Sequence, residues 1–422
     1  MTREEFAKLV KENIVILDGA TGTNLMAAGM PMGVCTEKWV LEHPDLITRL
    51  QSDYVEAGSD IIYAPTFTAN RIKLADFGLD GQIEEINRQL VELSQKAAGG
   101  KAYVAADMSM TGQQLYPMGD MEFEELIDVY AQQAGILDKA GVDLYIVETM
   151  MSLQETRAAV LGIRRVSSLP IMVTMTFESN GRTLYGTSAG VASIVLSHMD
   201  IDAIGVNCST GPQEMTRMVA EIAGYTHLPV IAKPNAGIPE VIDGKSTYKM
   251  SPEEFAQAGE DLIRAGAKIL GGCCGTRPEH IGLLGKMAGC VETVTPKDRT
   301  EGGGYLTTER EIFEFADLSD IEIGRLDLSD MDPEDAADEA FDLLDEGADV
   351  INVCTDDLEK MKEFVFELKS ACNCPLAFQS NKIETLEAGL MEFPGRALLI
   401  SGGTADREAL AGLAKKYGAI VV

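Results

Sequence analysis

The stretch Gly271-Gly272-Cys273-Cys274-Gly275-Thr276 sets two adjacent thiols in a glycine-rich turn, directly after the apolar run Lys268-Ile269-Leu270. Thiolates bind soft and borderline metals, and zinc is the commonest such guest in a cytosolic enzyme. A third thiol, Cys208, stands 65 residues before Cys273 in Val206-Asn207-Cys208-Ser209, again at the end of an apolar run. Ligands this far apart, each at a strand end, predict an open zinc site built across a barrel mouth. A structural zinc finger pairs its ligands locally instead. Three thiolates leave a fourth position for an outside ligand, such as the sulfur of a thiol substrate. Spacing alone keeps two other readings open: buried apolar cysteines, or a vicinal pair prone to oxidation. Cys35, Cys290, Cys354, Cys372 and Cys374 lack this context, and Cys372-Asn373-Cys374 is a faint metal or redox signal.

Other polar clusters follow apolar runs in the same way. In Asp18-Gly19-Ala20-Thr21-Gly22-Thr23 the glycines let backbone N–H groups approach a ligand closely. The pattern is neither a Walker sequence nor Gly-x-Gly-x-x-Gly, and it suits the head group of an amino acid. A plain tight turn is the alternative. Glu148 ends a run and can pair with a substrate ammonium, or else cap the following helix. Asn207 and Asn235 can bind a substrate carboxylate or stand near the metal; turn formation is the alternative. None of the four histidines (His43, His198, His227, His280) ends a strand, which argues against a histidine-ligated metal or a histidine triad.

These residues need a scaffold. Eight short apolar runs lie in the first 290 residues: Ile14–Leu17, Ile61–Tyr63, Ala102–Ala105, Leu144–Val147, Ile171–Thr174, Ala203–Val206, Val230–Ala232 and Lys268–Leu270. Helical patterns separate them, among them Pro44–Ala57, Gln82–Ala97, Phe123–Ala140, Leu153–Val166, Gln213–Ala223 and Pro252–Ala265. Strand–helix alternation implies parallel strands, and eight units predict an α/β fold of the (β/α)8 TIM-barrel type over residues 1–295. A doubly wound open sheet is the rival. Barrel enzymes place their sites at the C-terminal strand ends, where the polar clusters fall.

Residues 296–305 read as a glycine-rich linker. Beyond it, 306–422 is expected to form a smaller, incomplete α/β domain of four or five strands, too few for a second barrel. Charge supports the boundary. Of a formal net charge of −32, −17 falls on residues 296–422 and −15 on the much longer 1–295. Such acidity, with a pI near 4.4, argues against nucleic acid or an anionic membrane as partner. No apolar window is long enough to span a membrane, and Met1-Thr2-Arg3-Glu4-Glu5 does not open a signal peptide. A cytoplasmic protein is expected, with its eight cysteines free, metal-bound or catalytic.

Taken together, these motifs resemble the homocysteine S-methyltransferase family, and within it the homocysteine-binding module of cobalamin-dependent methionine synthases. The resemblance covers roughly residues 10–290 and rests on Leu17–Thr23, Ala69–Leu74, Val147–Met150, Asn180–Thr183, Val206–Ser209, Lys233–Gly237 and Gly271–Thr276. It implies Zn2+ on Cys208, Cys273 and Cys274, with homocysteine sulfur as the fourth ligand. It places the substrate's amino and carboxylate groups near Asp18, the backbone from Ala20 through Thr21 and Gly22 to Thr23, and Glu148. Asn235 matches an asparagine that can sit close to the metal. The tail resembles, through Gly347–Val353 and Lys415–Ala419, part of a pterin-binding barrel. Asn352, Cys354 and Gln379-Ser380-Asn381 depart from the pterin-binding pattern, so folate binding is not expected. The implied reaction is methyl transfer from methylcobalamin, on a separate corrinoid protein, to homocysteine. S-methylmethionine as donor, another thiol as acceptor, and a non-catalytic corrinoid-docking module are the alternatives.

Overall fold

The computed structural model describes residues 1–242, 245–292, 299, 304–328, 331–401 and 407–422. The chain divides into two compact units, Met1–Tyr185 with Ile201–Ala223 and His227–Lys297, and Gly186–Asp200 with Gly224–Thr226 and Asp298–Val422.

The first unit is built on eight parallel strands: β1 (Val15–Ile16), β2 (Ile61–Ala64), β3 (Tyr103–Met108), β4 (Leu144–Met150), β5 (Ile171–Met175), β6 (Ala203–Asn207), β7 (Val230–Lys233) and β8 (Ala267–Leu270). Each pairs with its sequence neighbour, and β8 pairs with β1. A parallel bridge from Leu17 to Ile61 joins β1 to β2 and closes the ring. The expected barrel is present and the open-sheet rival is excluded. Helices Pro44–Ala57, Phe123–Ala140 and Leu153–Val166 have the bounds read from sequence; three others differ by a residue at one or both ends. The helix Ala189–Ser197, which belongs to the second unit, carried no amphipathic signal because all nine of its residues are buried.

The barrel core explains how the mouth is furnished. Side chains of a strand alternate between its two faces, so every second residue points into the barrel. Ile61, Ala105, Ile146, Ala203, Ile231 and Ile269 belong to the buried central cluster. Helix Arg3–Glu12 adds Phe6 and Val10, one turn apart, to that cluster. Thr2 and Glu5 fix the start of this helix with a reciprocal capping box. Two residues further toward the C-terminal strand ends, the inward rows carry Tyr63, Asp107, Glu148 and Lys233, all buried.

In the second unit β9 (Ile323–Asp327), β10 (Val350–Cys354), β11 (Leu376–Gln379), β12 (Leu398–Leu399) and β13 (Ile420–Val421) form a parallel sheet in sequence order. Among the described residues no pairing joins β9 to β13. One expectation needs correction. Gly304–Thr307 is a strand, paired antiparallel with Ile312–Phe315, so the segment read as linker is extended structure from Gly304 onward. The glycines upstream masked the alternation of Tyr305-Leu306-Thr307. The rest of that linker, except Arg299, lies outside the described residues.

Candidate active site and metal centre

Cys208 follows β6, and Cys273 and Cys274 follow β8. Their three sulfurs lie within 4.8 Å of one another, and each residue is partly exposed at the mouth. Tetrahedral coordination at about 2.3 Å separates thiolate sulfurs by about 3.8 Å, so the group fits a metal after little adjustment.

Backbone bonds hold the cysteine turns against the end of β7. Cys208 N–H donates to Lys233 O (3.1 Å), Cys273 N–H to Pro234 O (2.8 Å), and Ala236 N–H to Cys274 O (2.9 Å). Thr276 Oγ1 donates to Cys273 O (2.7 Å), and Gly275 N–H donates to Thr23 Oγ1 (3.1 Å). The glycines are required by close approach. A Cβ on Gly271 would stand 2.8 Å from Leu17 Cβ, and one on Gly272 would stand 2.4 Å from Thr276 Oγ1.

Strain concentrates here. Among the described residues, the non-glycine residues with positive φ are Thr149 (61°), Cys208 (62°) and Ser209 (57°). Such backbone costs about 1–3 kcal/mol per residue and persists only where the surroundings over-determine it. Asn207 supplies part of that constraint. Its Oδ1 accepts from Thr149 N–H (2.9 Å), and its Nδ2 donates to Thr149 Oγ1 (2.7 Å) and faces Cys273 Sγ at 3.9 Å. Its amide thus braces the strand ends and the sulfur. Hydrogen bonds from Cys208 and Cys273 push Cys274 down to about 3, with Tyr248 adding to them. Hydrogen bonds with Cys208 and Cys274 push Cys273 well up. The negative charge of the trio thus falls on Cys274, while the Cys208 and Cys273 thiols are held above their ordinary value.

Asp18 and Glu148 meet a residue that the site prediction left out. Lys233 Nζ lies 3.5 Å from Asp18 Oδ1 and 3.4 Å from Glu148 Oε2, and sits 3.6 Å above the Tyr63 ring centroid. Tyr63 N–H donates to Asp18 Oδ2 (2.8 Å). Burial raises Asp18 to about 6 despite Lys233 and this bond. Burial acts to lower Lys233, but Glu148, Tyr63 and Asp18 outweigh it and hold the ammonium well above its ordinary value. Strand parity carries the missing signal, because Lys233 is two residues beyond the inward-facing Ile231.

The glycine loop after β1 is partly committed to its own structure. Ala20 N–H donates to Thr276 Oγ1 (3.0 Å), and Ala20 O accepts from Tyr54 Oη (2.9 Å) and Asn24 Nδ2 (2.7 Å). Thr21 and Gly22 open the short helix Gly22–Ala27. Asn235 is buried and its Oδ1 has no hydrogen-bond partner. Its neighbours Pro234 and Ala236 bond to the two vicinal cysteines, so the backbone on either side of Asn235 is tied to the cysteine turn.

Fold and site define a TIM barrel whose mouth gathers three thiols next to a buried charged cluster. A family model for homocysteine S-methyltransferase matches residues 15–288, and the chain belongs to that family. Methionine synthase of Mycobacterium leprae is 28% identical over 440 aligned positions, covering 94% of this chain and 36% of that protein. Methionine synthase of Mycobacterium tuberculosis is 29% identical, covering 93% and 36%. The likeness thus continues past the barrel, and the chain spans about a third of the length of these relatives. The metallated form of the homocysteine methyltransferase MmuM from Escherichia coli superposes with a TM-score of 0.56 at 25% identity, covering 66% of this chain and 98% of that one. Its apo form gives 0.53, also at 25% identity. Among the described residues no helix is long and apolar enough to cross a membrane.

Proposed function

We propose that the chain is a zinc-dependent methyltransferase that passes a methyl group from methylcobalamin, carried by a separate corrinoid protein, to the sulfur of homocysteine, giving methionine. The observation that carries this reading is the convergence of Cys208, Cys273 and Cys274 within 4.8 Å beside a buried acidic cluster. Zinc held by the three thiolates supplies a Lewis acid that draws the substrate thiol's pKa toward neutrality.

The chain's own residues do the rest. Asn207 and the Thr23–Gly275 contact keep the sulfurs in place. The Asp18–Lys233–Glu148 cluster gives the barrel mouth an acidic character suited to a substrate ammonium, while the loop from Ala20 to Thr23 and Asn235 serve the carboxylate and the metal surroundings. With sulfur and head group both fixed, attack on a methyl group becomes a matter of orientation. A protein-borne donor is supported by the rim. Met32 (82% exposed), Met118 (76%), Leu184 (64%) and Ile238 (64%) sit on connections following four different strands at the end of the barrel that holds the cysteines. Scattered exposed apolar residues need no explanation, but a ring of them around one mouth fits a docking partner. We assign 306–422 to an incomplete pterin-binding-like domain without folate binding. Its strand-end polar groups bond one another: Asn352 Nδ2 donates to Gln379 Oε1, and Asp356 accepts from Ser380 Oγ and Asn381.

The test uses zinc-loaded protein with homocysteine and free methylcobalamin, followed anaerobically by corrin absorbance. Loss of the methylcobalamin spectrum with formation of methionine, suppressed by a chelator, is the expected result. Methionine formed only from S-methylmethionine would replace the donor. No methyl transfer from methylcobalamin, free or presented by a corrinoid protein, or from S-methylmethionine would sink the reading.

A pH dependence follows from Asp18. The carboxyl is anionic above about pH 6 and takes up a proton below it. Acidification therefore removes negative charge from the ammonium end, and KM for homocysteine rises by up to about tenfold per pH unit below 6. The sign for stability is opposite. Because the folded pKa lies above the unfolded value, Asp18 favours the folded state in acid and loses that contribution as pH rises through about 6. In Asp18→Asn protein, steady-state kinetics should show this acid limb of KM flattened.

A further inference from the structure

We infer that Asp107 is the specificity residue of the barrel mouth, the carboxylate that selects thiols bearing an α-ammonium group. The inference rests on the homocysteine reading above and names the residue behind its substrate class.

Asp18 and Glu148 are the carboxylates that the sequence offers for an ammonium, but the Lys233 ammonium already lies within 3.5 Å of both. Asp107 lies two residues along β3 from the core residue Ala105, so it joins the same inward layer. It is 6% exposed, and its Oδ1 is enclosed without any hydrogen-bond partner. Its main chain is pinned, with N–H donating to Thr66 Oγ1 (3.1 Å) and Thr66 Oγ1 donating to the carbonyl (2.8 Å).

The barrel satisfies its other buried carboxylates. Glu155 Oε1 accepts from Thr111 N–H, Thr111 Oγ1 and Tyr130 Oη, and Glu37 Oε1 accepts from Thr68 N–H and Oγ1. A buried acid with a free oxygen is therefore a departure from this chain's own practice, and buried polar atoms are costly when unpaired. Charge points the same way. Asp107 lies in the field of Glu148, Lys233 and Asp18, so this layer sets three carboxylates, Asp107 included, against one lysine. Burial, then Glu148, raises its pKa well above the ordinary carboxylate range, and an arriving ammonium supplies both the missing donor and the missing charge.

The experiment measures calorimetric binding of homocysteine and of 4-mercaptobutanoate, the same thiol without its ammonium, to zinc-loaded protein. Wild type should bind homocysteine far more tightly. Asp107→Asn, nearly isosteric, should weaken homocysteine by about 10- to 100-fold, the range of one hydrogen bond to a charged group. It should leave 4-mercaptobutanoate within about twofold, so this thiol also reports that the variant is folded. Equal weakening of both thiols, or of neither, overturns the role of Asp107. Should Asp107→Asn fail to fold, Asp107→Glu replaces it; retained preference for homocysteine supports the assignment, and loss of 4-mercaptobutanoate binding overturns it. Failure of the underlying reading shows separately, as wild-type protein that takes up no zinc.

Discussion

Cys273→Ser protein is expected to emerge from dialysis with little zinc and to lose thiol methylation by roughly 1,000-fold or more, because a hard hydroxyl replaces a soft thiolate at a site with few ligands to spare. Cys273 is the instructive choice among the three. Its N–H and C=O are bonded to Pro234 and Thr276, and its sulfur faces Asn207, so the substitution changes the donor atom while the turn keeps its backbone support. Near-native thermal stability should therefore accompany the loss of metal. Metal analysis by mass spectrometry, with the corrin assay in parallel, checks both. Full activity in metal-free Cys273→Ser protein would end the metal reading.

Lys233→Met is the second large effect, and here stability moves first. At an effective dielectric constant of about 20, an ion pair at 3.5 Å contributes about 5 kcal/mol of attraction, against a burial cost of several kcal/mol per ion. The intact cluster thus gains little net stability. Removing only the lysine leaves Asp18 and Glu148 buried without their cation, a loss of about 3–5 kcal/mol. The expected result is a fall in Tm of roughly 10 °C. A wild-type Tm in Lys233→Met would show that the three groups are not coupled. Adding Glu148→Gln removes one of the stranded charges and should recover part of the loss. The same variant should bind homocysteine differently, since the substrate ammonium would then face three carboxylates without a competing cation.

Much of this molecule was legible from local patterns. Short apolar runs bounded by glycine and polar turns marked all eight barrel strands, because a strand enclosed by neighbours needs a continuous apolar stretch. The cysteine turns stood out because a vicinal thiol pair among glycines has few structural uses. What escaped were elements whose signals were averaged away. The buried helix Ala189–Ser197 has no polar face to give a helical period, and the strand starting at Gly304 was hidden by its own glycines.

The assignment of Asp18 and Glu148 to an ammonium illustrates a different limit. Their position at strand ends was readable, as was the presence of Lys233 in Lys233-Pro234-Asn235-Ala236-Gly237. Their mutual pairing was not, because Lys233 is 215 residues from Asp18 and 85 from Glu148 in sequence. Alternation along a strand says which face a side chain occupies, and it can be read from a few neighbours. Which charges then meet across the mouth depends on closure of the ring and on the stagger of its strands, and those are set by packing among all eight units. Residue types, strand order and the thiol set are written in the chain. The counter-ion at Asp18 and Glu148, the brace that Asn207 applies to Thr149 and Cys273, and the unpaired oxygen of Asp107 exist only once the barrel has closed.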